Sequence, residues 1–366
     1  MIEAAICRLF NAPLSIEKVN LAKPQKNEVE VTLKACALCH SDIHYIDGCW
    51  GGDLPAIYGH EASGVVSDIG SHVKNIKEGD HVVVTLIRSC GACPACSTGR
   101  PVLCKSDFET DQRALIKDQK NQLIHQGLRT AAFAEKVVVD ASQIVVIDRD
   151  IGFLQASLLA CGVITGVGAV VNTACIQAGA RVGIIGAGGV GLNAIQGADL
   201  AGASQIIAVD IEETKLETAC QFGATHVINS KKDDLKGKIK QFTAGEKLET
   251  VFVTVGSKSA IEQGLTMLSF GGRLIIVGMP ASDVRASFDP SILAAVEQQI
   301  IGSKMGSTRI NHDIPWLISM YKQGRLKLDE LISNQYPLSK INDAIIDSKN
   351  PHSIRNLIVF DKEIID

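Results

Sequence analysis

Four cysteines, Cys90, Cys93, Cys96 and Cys104, fall inside one short stretch, Cys-Gly-Ala-Cys-Pro-Ala-Cys-Ser-Thr-Gly-Arg-Pro-Val-Leu-Cys. No other feature constrains the fold as much, because this spacing lets a single loop curl its thiolates around a tetrahedral Zn²⁺ at about 2.3 Å. Gly91, Pro94, Gly99 and Pro101 supply the bends. With all four positions filled by protein, such an ion is a staple. A catalytic zinc keeps three protein ligands and an open fourth position.

At 366 residues the chain exceeds what one core usually supports, so two domains are expected. Hydrophobic residues at 46% and charged residues at 21% describe an ordinary globular protein. The net charge is −4 and no basic block occurs, which argues against nucleic acid or an anionic membrane as partner. The start, Met-Ile-Glu-Ala-Ala-Ile-Cys-Arg, lacks a basic region followed by an apolar run, so no secretory signal is expected. Eleven cysteines without such a signal point to a reducing compartment, the cytoplasm, where cysteines ligate metals more often than they pair. Residues 151–180 carry no charge, but Gln155, Ser157, Thr165 and several glycines interrupt them, and a nucleotide motif follows. A buried pair of helices is expected there, not a membrane span.

The rhythm of the chain changes along its length. Glu28 to Ala35 alternates polar and apolar residues, and His81 to Leu86 and Ala134 to Asp140 are β-branched runs, which together suggest a partly closed β-barrel. Short apolar runs follow at Arg181 to Gly186, Gln205 to Asp210, His226 to Asn229, Thr250 to Val255 and Arg273 to Gly278. Helix-length segments such as Glu212 to Phe222 and Ser259 to Leu268 separate them, the pattern of a doubly wound parallel sheet. The end of the chain returns to mixed elements, with a helix at Ile314 to Lys322 and a last strand at Asn356 to Phe360.

The run Arg-Val-Gly-Ile-Ile-Gly-Ala-Gly-Gly-Val-Gly sets Gly186, Gly188 and Gly191 in G-x-G-x-x-G between a strand and a helix. Gly188 lets the backbone approach a pyrophosphate whose charge rests on the helix N-terminus. The next strand ends at Asp210, nineteen residues past Gly191, where a carboxylate accepts from both hydroxyls of an adenosine ribose. Ile211 stands where a binder of a 2′-phosphate would carry a cation, so NAD is expected over NADP.

Three further segments hold candidate ligands: Cys39-His-Ser-Asp-Ile-His44, Gly59-His-Glu61 and Cys161-Gly-Val-Ile-Thr165. Read singly, Cys161 suits a buried small apolar position and His60 a hydrogen-bonded core histidine. Spacing alone does not bring these segments together. In this order, however, Cys-His-Ser-Asp, Gly-His-Glu-Ala-Ser-Gly, the four-cysteine loop, Cys-Gly-Val-Ile-Thr-Gly-Val-Gly-Ala and Gly-Ala-Gly-Gly-Val-Gly resemble the zinc-dependent medium-chain alcohol dehydrogenases over nearly the whole chain.

The resemblance implies an α/β fold: a GroES-like barrel domain over 1–164 with the structural zinc lobe, a Rossmann domain over 165–304, and a return to the catalytic domain over 305–366. It implies two zinc ions per subunit. Cys39, His60 and Cys161 match the catalytic ligands, Asp42 the carboxylate that orients the liganding histidine, and Glu61 a nearby acid. Such a metal lowers the pKa of an alcohol hydroxyl so that hydride can pass to the nicotinamide of NAD. Ser41 and His44 match a proton relay to solvent. His40 and Arg355 match contacts to the pyrophosphate, Lys215 a contact to the ribose, and Thr165 a neighbour of the nicotinamide. The implied partners are a small alcohol or aldehyde and further copies of the chain, as a homodimer or homotetramer.

Departures from the family bear on substrate. Trp50 replaces a smaller or acidic pocket residue, and Leu86 stands where the liver-type enzymes have an aromatic. Phe108 occupies the place of an arginine that glutathione-dependent formaldehyde dehydrogenases use for the glutathione carboxylate. Oxidation of a glutathione or other thiol adduct of formaldehyde is the alternative activity.

Overall fold

A computed structural model of the chain describes residues 1–360. Its contacts divide into two units. One takes in Met1–Cys161, Arg309–Lys322 and the chain from Leu328; the other takes in Gly162–Thr308 and Gln323–Lys327.

The first unit is built on two sheets. One runs in the order Ile144–Val146, His81–Thr85, Glu61–Ile69, Glu28–Ala37, Arg355–Val359, Ile332–Pro337, with Lys136–Asp140 also paired to Glu28–Ala37. The other joins Ile2–Ile6, Ser15–Leu21, Ile116–Lys117, Leu123–Gln126 and Ala56–Ile57. Between them lies an apolar core containing Ile6, Leu33, Ile57, Ile124 and Phe133. The alternation at Glu28–Ala37 sends Val29, Val31 and Leu33 into this core, as strand periodicity requires.

Strand register positions the site. Ala37 pairs with Glu61 on one side and with Leu357 on the other, and Glu61 pairs with Thr85. Three strand ends thus converge just before Cys39, beside His60 and near Arg355. The Thr85 hydroxyl donates to Ala160 O at 2.7 Å, and Ser63 donates to Phe153 O at 2.6 Å. Those two bonds tie the segment ending in Cys161 to the same strands.

The second unit is one parallel sheet in the order His226–Asn229, Gln205–Asp210, Arg181–Ile185, Leu248–Val253, Leu268–Ile276, Gln299–Gly302. Numbered along the chain this is 3-2-1-4-5-6, the doubly wound order whose switch point lies after the first strand. Core residues Ile207, Val209, Val251, Val253 and Leu274 fill one face. The uncharged stretch forms two short helices, Phe153–Leu158 and Gly162–Gly168, followed by a wide turn over Ala169–Ala174. No helix among the described residues is long and apolar enough to cross a membrane.

Candidate active site

Cys39 caps the helix His40–Ile46, and Asp42 in its first turn closes a capping box by accepting from Cys39 N at 3.2 Å. The same carboxylate accepts from Gly59 N at 2.8 Å and meets His60 Nδ1 at 3.0 Å. Asp42 and His60 are both 0% exposed. With Nδ1 engaged by a carboxylate, the imidazole presents Nε2, a buried atom with no hydrogen-bond partner among the described residues.

A ring nitrogen of His60, the sulfurs of Cys39 and Cys161 and a carboxylate oxygen of Glu61 all lie within 4.8 Å of one another. An unpaired polar atom this deeply buried costs roughly 1–3 kcal/mol. Two sulfurs and one imidazole are the donor set of a zinc site with room for a further ligand, so these residues fit the metal. The Cys161 thiol donates to Cys39, which holds Cys39 well below the usual thiol range and pushes Cys161 up. Burial disfavours a charged His60 ring, but Asp42 and Cys39 outweigh it and favour the proton. Metal binding therefore displaces protons.

Behind this cluster Glu61 forms an ion pair with the buried Arg355 guanidinium through Oε2, while Oε1 has no hydrogen-bond partner among the described residues. Burial pushes the Glu61 carboxyl up to about 7, against the pull of Arg355. Sequence reasoning linked Arg355 only to a pyrophosphate. Its contact with Glu61 spans 294 positions and carries no local signal.

The second cluster is Cys90, Cys93, Cys96 and Cys104, again with ligand atoms within 4.8 Å. A short helix at Pro94–Ser97 and a 3-10 turn at Pro101–Leu103 fold the loop. Cys93 N donates to Cys90 Sγ at 3.2 Å, Cys90 N to Cys104 Sγ at 3.4 Å and Ser106 Oγ to Cys90 Sγ at 3.0 Å. The Ser106 hydroxyl first, then the backbone N–H groups of Ala92 and Cys93, bring the Cys90 thiol down to about 6. Ser106 was not singled out from the sequence.

In the other unit Gly186 follows the strand Arg181–Ile185 with φ +97°, and a Cβ on Gly191 would stand 1.8 Å from Gly186 O. Only glycine fits either place. A Cβ on Gly188 would meet nothing within 4 Å, which leaves open space at the start of the helix Gly189–Leu200. Asp210 Oδ2 accepts from Ala187 N at 2.7 Å and Oδ1 from Ile211 N at 2.7 Å. The turn is thus braced for a dinucleotide, and its residues fit one. Thr165 is buried in the same unit and donates to Met305 Sδ at 3.7 Å. Lys215 lies half-buried on the helix Glu213–Gln221, and Ile211 is 49% exposed.

On the helix His40–Ile46, His40 is exposed, and Ser41 and His44 are half-buried. Trp50 packs against His44 with ring centroids 4.9 Å apart. Phe108 is buried under the Arg88 guanidinium, 4.5 Å from the ring centre, and Arg88 is held by Asp111 at 2.7 and 2.8 Å.

Comparison with known proteins gives the family. The family model described as "Alcohol dehydrogenase GroES-like domain" matches residues 25–149, and that described as "Zinc-binding dehydrogenase" matches residues 189–323. The chain is 35% identical to "Alcohol dehydrogenase B" of Mycobacterium tuberculosis, covering 95% of this chain and 96% of the relative. It is 34% identical to "Probable S-(hydroxymethyl)glutathione dehydrogenase 1" of Schizosaccharomyces pombe, covering 98% and 97%. The crystal structure of benzyl alcohol dehydrogenase from Acinetobacter calcoaceticus superposes with a TM-score of 0.92 at 33% identity, covering 98% and 99%.

Proposed function

This chain belongs to the zinc-dependent medium-chain alcohol dehydrogenases, and from that premise we propose that it interconverts an alcohol and its aldehyde or ketone with NAD, holding two zinc ions. The catalytic ion is assigned to Cys39, His60 and Cys161, the structural ion to Cys90, Cys93, Cys96 and Cys104. The observation that carries the reading is the buried Nε2 of His60, unpartnered among the described residues, in a cluster with two cysteine sulfurs.

A zinc ion held by Cys39, His60 and Cys161 would supply Lewis acidity toward an alcohol hydroxyl, and NAD at the glycine turn would supply the hydride acceptor. The chain's own residues arrange the rest. Asp42 holds the His60 ring so that Nε2 keeps its lone pair for the metal. Glu61, pinned by Arg355, keeps a second carboxylate at the cluster. Ser41 takes the hydroxyl proton while passing its own on through the nicotinamide ribose, and His44 delivers a proton to water.

Within the second unit the cofactor is assigned to Gly186, Gly188 and Gly191 at its pyrophosphate, to Asp210 and Lys215 at its ribose, and to Thr165 at its nicotinamide; the family resemblance adds His40 and Arg355 as pyrophosphate contacts. Exposed Ile211 beside Asp210 offers no cation to a 2′-phosphate, which supports NAD. A homodimer or homotetramer is supported by the edge strand Gln299–Gly302 and by Phe270, Met279, Phe288 and Ile292, all exposed in the same unit. The cytoplasm is supported by cysteines gathered in metal-type clusters, as a reducing compartment favours.

A second reading, oxidation of a thiol adduct of formaldehyde, is favoured by the likeness to the Schizosaccharomyces pombe protein. Phe108, buried under Arg88, offers no cation to a glutathione carboxylate. One experiment tests both: NADH absorbance with a panel of alcohols, and with formaldehyde in the presence and absence of glutathione, with NADP in parallel. Alcohol-dependent reduction of NAD, weak with NADP and independent of glutathione, is expected. Reduction only when formaldehyde and glutathione are both present would establish the second reading, and no reduction by zinc-loaded protein would overturn both.

A further inference from the structure

After the helix His40–Ile46 the chain doubles back over that helix's last turn. Cys49 N donates to His44 O at 2.9 Å, Gly48 N to Tyr45 O at 3.1 Å and Gly51 N to Gly48 O at 3.1 Å. Gly48 has φ +74°, and a Cβ there would stand 2.9 Å from the Phe10 ring, so this return requires glycine. The turn delivers the Trp50 indole to His44, centroids 4.9 Å apart with 34° between the planes. Trp50 also meets Tyr45 edge-on at 5.3 Å, and Tyr45 stacks on Tyr58 at 5.6 Å. Tyr58 is 3% exposed, so one end of this aromatic series is fixed in the core and the other ends on the imidazole.

The His44 imidazole makes no hydrogen bond and no ion pair among the described residues. No polar group therefore fixes how the ring is turned, whereas a ring that passes a proton works only with its nitrogens held in line. We propose that Trp50 is the positioning residue of the proton path, its indole face fixing the orientation in which His44 exchanges a proton with water. This rests on the reading of Ser41 and His44 as that path. In alcohol oxidation the hydroxyl proton forms an N–H bond at one ring nitrogen, and the ring then releases one proton to water. The ring passes from imidazole to imidazolium and back with no change in electron count.

The experiment is a double-mutant cycle, Trp50→Ala and His44→Gln, read by proton release to a pH indicator in weak buffer while NADH formation is followed separately. Trp50→Ala should slow proton release roughly 3- to 10-fold, the worth of one aromatic pair, with zinc content and melting temperature close to the parent's. Trp50→Phe should restore most of that loss. In the His44→Gln protein, adding Trp50→Ala should cost less than about twofold, because the partner it positions is gone. An equal loss in both backgrounds would overturn the inference. So would a change confined to KM that varies with alcohol chain length, which would make Trp50 a wall of the substrate pocket. If His44→Gln alone leaves proton release unchanged, the relay reading itself fails and takes this inference with it.

Discussion

The two cysteine-containing clusters have the same number of donor residues within the same 4.8 Å, yet they are built in opposite ways. Cys90, Cys93, Cys96 and Cys104 come from one loop, and only Cys104 is buried. Cys39, His60, Glu61 and Cys161 come from three segments that meet through strand pairing, and all are buried. The loop cluster stabilises its sulfurs with nearby N–H and O–H donors. In the buried cluster a carboxylate orients the imidazole and a guanidinium pins the acid. A site that must only hold metal can be local, whereas one that needs a dry setting and an open position draws on the whole sheet.

That contrast can be broken by exchanging one ligand at a time. Cys161→Ser should lower kcat at least about 10³-fold, since the Lewis acid supplies several kcal/mol of charge stabilisation. Zinc content should fall by one ion, with little change in melting temperature. Cys104→Ser should do the reverse, losing the other ion and several kcal/mol of stability, a fall in melting temperature of roughly 5–10 °C. Its activity per folded molecule should persist. A matched loss of activity in both variants would dissolve the distinction.

Smaller changes sharpen it. Asp42→Asn should weaken zinc at the buried cluster by about 10- to 100-fold while leaving the loop ion untouched, as metal titration against a chelator would reveal. After zinc is stripped, alkylation near pH 7 should strike Cys90 about tenfold faster than an ordinary exposed thiol. Its pKa near 6 keeps it mostly thiolate. Cys39, also held low, should resist because it is buried. Mass spectrometry after a short pulse of iodoacetamide reads this directly.

Much of the difference between the clusters was legible in the sequence for the same physical reason. The loop is contiguous, so ligand spacing and turn residues sit in one window. The three buried segments gave only separate hints until their order resembled a family, because strand register brings them together. Among the elements, Gln205–Asp210 and His226–Asn229 were read with the observed bounds, since apolar runs end there at polar turns. The strand expected to reach Val255 stops at Val253, where the Thr254 side chain bonds to Gly186 O instead.

The helix expected to begin at Ile314 begins at Ile310 and carries Pro315 inside it, a residue that usually marks a first turn. The edge strand Gln299–Gly302 was missed because its exposed residues lack a two-residue apolar alternation. Pairs such as Arg355 with Glu61 and Trp50 with His44 were not readable, because a hydrogen bond or ring stack leaves no mark in composition.

The central claim is that this chain carries two zinc ions with different ligand sets, and anomalous diffraction at the zinc edge from crystals of the purified protein tests it most directly. Two peaks are expected, one enclosed by the sulfurs of Cys90, Cys93, Cys96 and Cys104, the other between the sulfurs of Cys39 and Cys161 and Nε2 of His60. A single peak in the loop, with His60 Nε2 hydrogen-bonded to protein or water, would contradict it.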